Sequence, residues 1–350
     1  MIKSIEIDHQ VMPAGFALRP ATPADIPAIV DILNIYDRQF TGWETHTVEL
    51  VEKDWDNPKF DMTHSARVAV ETATGRVVGY ASVWDTEPMP VANWVSCSVH
   101  PDFMGRGLGT ALHQWAAVRL QEALGRVPED VQVAYHCGAR GEDKAAQALF
   151  DSLGMTKARY FWRMVIDLTP NRAIPEPALP VGFVIRPWAE VQDRIPLLQV
   201  MQAADEAFQD HWGHVDQPLD EMIVEWQHWL DSTPDMGPDV WFLLLEEATG
   251  EIAGVSLCRR KSRNEPRWAY LNTLGVRRAY RHRGLALALL HYTFRFFQQA
   301  GLERVELHVD ASSLTGATRL YEKAGMVVDE EDVGYIQILR HGRDLSTQTL

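Results

Sequence analysis

The stretch FALRPATPADIPAIVDIL, beginning at Phe16, returns as FVIRPWAEVQDRIPLLQV from Phe183. Three further pairs follow in the same order: ETATGRVVG from Glu71 with EEATGEIAG from Glu246, SVHPDFMGRGLGTAL from Ser98 with GVRRAYRHRGLALAL from Gly275, and ALFDSLGM from Ala148 with RLYEKAGM from Arg319. The displacement stays between 167 and 177 residues throughout, and chance does not preserve order and spacing together. At 350 residues the chain is long for one core, and the repeat explains the length as two copies of one domain.

Between the copies, LTPNRAIPEPALPVG carries four prolines and few apolar residues, which favours an extended connector. The expected division is residues 1–168, a linker at 169–181, and residues 182–350. Each copy reads as a strand, a helix, Trp-containing polar segments, two β-rich runs joined by a TG turn, a third β run, a glycine loop opening a long helix, a strand, a short helix and closing strands. That order predicts an α/β fold with a mixed central sheet in each copy.

The apolar and charged fractions, 46% and 23%, are those of a globular chain, and no apolar run reaches the length of a membrane span. A net charge of −15 opposes nucleic-acid binding, which needs clustered Lys and Arg against phosphates, and suits a cationic partner such as an amine. MIKSIEIDHQVMPAG lacks the apolar core of a signal peptide, and Cys97, Cys137 and Cys258 form no CxxC pair. A cytoplasmic location is expected. Neither copy brings Cys, His and carboxylates to metal-ligand spacing, so no metal is expected.

Against this acidic background, RRAYRHRGLALALL from Arg277 reverses the sign. Glycines at a helix start let an anion approach unpaired backbone N–H groups, where the helix dipole adds positive potential. A Walker A loop requires GxxxxGK[ST], which is missing, and a dinucleotide loop requires GxGxxG next to the first strand, whereas this loop follows the fourth β-rich run.

The spacing instead resembles Q/R-x-x-G-x-G/A, the acyl-CoA signature of the GNAT acetyltransferase superfamily. Arg281, Gly284 and Ala286 supply it in the second copy. Gly107 and Gly109 supply it in the first, with Met104 at the Gln/Arg position. The resemblance runs from about Phe16 to Leu339, and VDASSLTGATRLYEKAGM and EAFQDHWG are similar to segments of tandem GNAT proteins of the mycothiol-synthase group. Ser313 and Met326 depart from that group's usual Asn and Phe.

The resemblance implies acetyl-CoA as co-substrate. Its pantetheine arm would lie along the strand ending in Leu274, Gly275 and Val276, with the pyrophosphate at Arg281, His282, Arg283, Gly284, Leu285 and Ala286, and with Ser313 nearby. The matching first-copy positions are Cys97, Ser98 and Val99, then Gly105, Arg106, Gly107, Leu108, Gly109 and Thr110. Arg277 and Arg278 join Arg283 as candidates for the remaining phosphate. A main-chain N–H near Leu274 can stabilise the oxyanion, and Tyr321 on the short helix occupies the place of the acid that protonates the leaving thiolate. Phe150 holds that place in the first copy and has no proton to give, so the second copy is expected to be catalytic and the first degenerate.

Relatives often carry a Glu on the strand ahead of the loop, whereas WAYLNTLGV offers no carboxylate. Asn272 or Thr273 can hold a water there, and Asp210 and His211, with His214, are candidates for the acceptor or base side. The expected reaction is acetyl transfer to a small-molecule primary amine, with mycothiol-synthase activity one version. Acetylation of a protein N-terminus or lysine, and non-catalytic acyl-CoA binding, are the competing readings. Monomer and homodimer both stay open.

Overall fold

The computed structural model describes residues 12–210, 235–262, 265–313 and 316–345, together with 223–224, 226–227, 230–231 and 233. Its elements, in chain order, begin with β1 (Phe16–Pro20), α1 (Ile26–Thr41), α2 (Val48–Trp55) and α3 (Met62–Ser65). Next come β2 (Ala66–Glu71), β3 (Val77–Trp84), β4 (Ala92–Val99), α4 (Leu108–Arg119), β5 (Val133–Arg140), α5 (Lys144–Ser152) and β6 (Thr156–Asp167). The second half holds β7 (Phe183–Pro187), α6 (Leu197–Phe208), β8 (Met236–Glu246), β9 (Ile252–Arg259) and β10 (Trp268–Val276). It ends with α7 (Leu285–Gln299), β11 (Arg304–Asp310), α8 (Ala317–Lys323) and β12 (Val327–Arg340). The fold is the mixed α/β class expected from the repeat.

Two compact units result. Unit 1 comprises the chain up to Arg159 plus Asp332–Leu345, and unit 2 comprises Tyr160–Glu331. In unit 1 the strand order is β1-β2-β3-β4-β5-β12, antiparallel except for the parallel pair β4–β5. Unit 2 repeats the pattern as β7-β8-β9-β10-β11-β6, with β10–β11 the parallel pair. The units therefore depart from the linear division at 168 and 182. The last strand of each repeat closes the other repeat's sheet: His308 is in register with Arg163 of β6, and Cys137 with Tyr335 of β12. Neither closing strand alternates: residues 163–166 are buried in a row in β6 and residues 333–335 in β12, so periodicity does not decide which edge they join.

The core of unit 2 is one cluster centred on β8, β9 and the inner face of α7. Leu285, Leu289, Leu290, Phe294 and Phe297 of α7 are buried at helical spacing, and Phe242 of β8 meets Phe296 and Tyr292 at ring distances of 4.9 and 5.2 Å. Burying each such side chain contributes about 1.5–3 kcal/mol and fixes the helix whose N-terminus forms the glycine loop. Unit 1 divides its core into one cluster around α4, β5 and Tyr335 and another between α1, α2 and β2.

In both units the parallel pair separates partway. Strands β10 and β11 pair only from Trp268↔Arg304 to Tyr270↔Glu306, and β4 and β5 only from Ala92↔Ala134 to Trp94↔His136. Beyond those pairs, Leu271–Val276 and Leu307–Asp310 continue as the two sides of an opening in unit 2. No helix among the described residues is long and apolar enough to cross a membrane.

Candidate functional site

The glycine loop of unit 2 is built on backbone conformation. His282 and Gly284 both take left-handed φ values, 63° and 78°. A non-glycine residue pays roughly 1–2 kcal/mol there, so the turn is held by its surroundings. Gly284 caps α7 without a side chain, and the first helical bond runs from Ala288 N–H to Gly284 C=O at 3.1 Å. The N–H groups of Leu285, Ala286 and Leu287 thus precede the helical ladder, as an anion site requires.

The arginines of the loop make contacts within the protein. Arg281 donates to Val276 O (3.0 Å), to Ala207 O (3.1 Å) and to the Asp210 carboxylate. Arg278 also pairs with Asp210, and Arg277 donates to Glu206 (2.7 Å) and to Ile252 O (3.1 Å). These side chains tie the loop to the C-terminal end of α6 and are already partnered within the protein. Arg283 is exposed, packs over Tyr280 at 5.8 Å and does not line the cavity described below.

Asp210 is buried, and Arg278, then Arg281, hold its carboxyl below the usual carboxylate range against the opposing effect of desolvation. Through Arg278 and Arg281 it braces the loop. QDHWG lies between the helices in sequence, but α6 ends beside the loop because Gly275 lets Ala207 approach β10. A Cβ on Gly275 would sit 2.6 Å from that of Ala207. His211 and His214 lie outside the described residues.

Two cavities flank the end of β10. The first, about 300 Å³, is lined by Leu274, Gly275, Val276, Arg281, His282, Gly284, Leu285, Ala286 and Tyr321, with Lys323 at its edge. The second, about 320 Å³, is lined by Phe161, Phe208, Leu271, Asn272, Leu274, Leu307, His308, Val309, Asp310, Ser313 and Tyr321. Leu274 and Tyr321 are common to both. Ser313 lines the second cavity rather than the loop side, and its Oγ accepts from Ala317 N–H at 3.3 Å near the start of α8. Tyr321 is 8% exposed, and burial, with Tyr270 close by, pushes its phenol up so that it stays protonated.

Strand β10 holds a feature not read from the sequence. Its register against β9 passes from Leu271↔Cys258 to Thr273↔Leu257, leaving Asn272 as an extra residue. Such a bulge bends the strand and re-aims the backbone groups that follow it. Arg259 Nε holds Asn272 Oδ1 at 3.1 Å. In unit 1, β3 and β4 pair from Gly79↔Val99 to Trp84↔Trp94 with no shift. Matching the two ladders puts Trp94 at Tyr270 and Cys97 at Leu274, with nothing at Asn272. His308 and Asp310 were also missed. The signal was available in RVELHVD, where Glu306, His308 and Asp310 alternate as polar residues along an otherwise apolar strand.

The remaining unit 1 positions keep the loop but not its surroundings. Gly105 and Gly107 take left-handed φ values of 72° and 83°, Leu108 is buried, and Arg106 packs on Phe103 at 4.8 Å. Met104, where unit 2 has Arg281, is exposed. Gly109 lies under Leu149, and Thr110, Ser98, Val99 and Cys97 are half-buried. Phe150 is buried between His113 (5.3 Å) and Tyr335 (4.9 Å). Among the described residues no cluster of three or more His, Cys, Asp or Glu is placed to hold a metal.

The model of the acetyltransferase (GNAT) family matches residues 29–155 and again 197–326. The mycothiol acetyltransferase of Streptomyces coelicolor is 31% identical over 263 residues, 75% of this chain and 76% of that protein. A GCN5-related N-acetyltransferase from Sphaerobacter thermophilus superposes with a TM-score of 0.78 at 32% identity, covering 96% of this chain and 100% of that one. A tandem GNAT protein from the clavulanic acid biosynthesis pathway shares the fold, with a TM-score of 0.65 at 16% identity over 94% of this chain and 100% of its own.

Proposed function

This chain belongs to the GNAT acetyltransferase family, and we propose that its unit 2 moves the acetyl group of acetyl-CoA directly to the primary amine of a small molecule. The observation that carries the reading is the pair of cavities meeting at Leu274 and Tyr321. One is floored by the open N-terminus of α7 and suits the pyrophosphate and pantetheine arm. The other suits the acceptor. The thioester then sits where they join, which places both reactants in line for attack.

In this reading the backbone N–H near Leu274 polarises the thioester carbonyl and stabilises the tetrahedral oxyanion, with the Asn272 bulge setting its direction. Tyr321, held protonated by burial, delivers its proton to the departing sulfur. A second cavity of about 320 Å³, with Asn272, His308 and Asp310 set among apolar walls, matches a small polar amine better than a polypeptide segment. The activity named for the Streptomyces coelicolor relative is one version of this reaction.

The test is CoA release from acetyl-CoA, read with a thiol reagent, over a panel of ethanolamine, glucosamine, an S-blocked cysteinyl amine and a peptide with a free N-terminus. The expected result is amine-dependent release with a small molecule and confirmation of the N-acetyl product by mass. Release with the peptide alone overturns the small-molecule reading, and binding of acetyl-CoA with no release for any amine overturns the transferase.

A further inference from the structure

An amine at neutral pH is mostly an ammonium ion, and it has no lone pair for attack until a proton leaves. Strand β10 offers no carboxylate for this, and Asp210 is committed to the loop arginines. The acceptor cavity does contain an imidazole. Resting on the amine-transfer reading above, we propose that His308 is the general base and that Tyr270 positions it.

The placement follows from the splitting of the parallel pair. Pairing stops at Tyr270↔Glu306, so His308, two residues further along β11, stands exposed at the start of the opening, across from Leu271 and Leu274. The Tyr270 hydroxyl lies 3.1 Å from His308 Nδ1, with the rings 5.8 Å apart and tilted by 37°. With Nδ1–H donating to the tyrosine oxygen, the neutral ring carries its lone pair on Nε2, the form a base needs. Tyr270 is itself held by the Arg259 guanidinium, 4.7 Å from its ring centre, and the same Arg259 grips the bulged Asn272. One arginine therefore links the strand distortion near the thioester to the ring that orients the base.

The groups around His308 are mainly acidic. Glu306 and Asp310 share its face of β11, and Tyr321 on α8 lines the same cavity. The cation in register with it, Arg163 on β6, is spent on Glu306 (3.4 Å), Asp329 and Glu330 (2.6 Å). Unit 1 has no imidazole at this place: Trp94 pairs with His136 as Tyr270 does with Glu306, so the position two residues on, that of His308, is Gly138. Arg140 there takes the position of Asp310.

The proton balance closes. His308 Nε2 takes one proton from the ammonium, and the freed nitrogen forms the C–N bond at the carbonyl carbon. The C–S bond then breaks as the oxyanion collapses. The nitrogen's second proton passes through solvent to the Tyr321 oxygen, restoring the phenol that gave its own proton to sulfur. The net proton left on His308 goes to solvent, and the products are the amide and free CoA.

The experiment compares His308→Gln with wild type on two nucleophiles: whichever panel amine turns over, and hydroxylamine, which is largely uncharged at neutral pH and needs no deprotonation. Acetyl-CoA binding by calorimetry checks that the variant is folded. The expected result is a loss of about 10²-fold with the amine at neutral pH, shrinking as rising pH deprotonates the amine, with the hydroxylamine rate and acetyl-CoA affinity unchanged. Tyr270→Phe is expected to show a smaller loss with the same selectivity. An equal loss on both nucleophiles, or no loss on the amine, overturns the assignment while leaving the transferase intact. A wild type that acetylates neither nucleophile removes the transferase reading, and the base falls with it.

Discussion

Unit 1 pairs β3 with β4 in unbroken register, whereas unit 2 inserts Asn272 between the same two ladder positions. Unit 1 fills the proposed acid position with Phe150 clamped between His113 and Tyr335, whereas unit 2 leaves Tyr321 bordering two cavities. The loops themselves are nearly the same, left-handed at matching positions and opening a long helix. On the roles proposed above, the difference teaches that the glycine loop and the reaction are separable. A duplicated domain can keep the backbone turn, which the fold requires, while losing the groups that only the chemistry requires.

Removing the bulge breaks that contrast most sharply. Deleting Asn272 returns β10 to the register of β4 and is expected to lower acetyl transfer by roughly 10²–10³-fold, the range for a displaced oxyanion donor, while calorimetry still detects acetyl-CoA binding. Unchanged turnover would show that strand direction past Leu271 is irrelevant to catalysis.

Next in size is Tyr321→Phe, which gives unit 2 the side chain of unit 1. Turnover should fall about 10²-fold with little change in the KM for acetyl-CoA. Because burial raises the pKa of the phenol, the wild-type rate should hold into the alkaline range beyond the ordinary tyrosine value of about 10 rather than falling there. Phe150→Tyr should gain no activity, since no bulge accompanies it; new turnover in a Tyr321→Phe background would break the comparison outright.

The repeat, the loop spacing and the Tyr321–Phe150 contrast were all legible in the sequence because each is a local pattern of residue types. The strand exchange was not, because no alternation along β6 or β12 marks which sheet each one joins. Nor was the role of Asp210, since only the close approach of Ala207 to Gly275 reveals that α6 ends at the loop. Asn272 left a trace that only a strand-by-strand match resolves. Trp94 pairs with Tyr270 across 176 residues and Ser98 with Gly275 across 177, so one residue has been added between them.

A smaller effect separates the loop braces. Met104 in unit 1 is exposed and carries no charge, while Arg281 and Arg278 share Asp210. Asp210→Asn is expected to lower stability by about 1–2 kcal/mol, because Arg278 is largely exposed and its share is weak, and to leave the amine KM unchanged. A raised amine KM would return Asp210 to the acceptor side. Its folded-state pKa is depressed, so its contribution is present above the usual carboxylate value and fades as pH falls through the lowered one.

The smallest expected effect lies at the opening turns. In unit 1 the Asp25 carboxylate accepts from Arg19 at 2.7 and 2.6 Å and from Thr22 N–H and Oγ at 2.9 and 2.7 Å. In unit 2 the matching Arg186 reaches Glu190 only at 4.0 Å, with both side chains exposed. The Arg19 bonds lower the Asp25 pKa to about 2, with Thr22 assisting against desolvation. A depressed folded-state value means that the stabilisation is complete above the unfolded carboxylate value of about 4 and disappears as the pH falls towards 2. Asp25→Asn should therefore cost about 1 kcal/mol at neutral pH, as for a lost cap with a half-exposed partner, and the gap to wild type should close in denaturant titrations between those two pH values. Glu190→Gln should leave stability unchanged at every pH. An equal cost at both turns would mean that the stabilisation comes from the shared Arg-Pro turn and not from the carboxylate that only unit 1 brings to it.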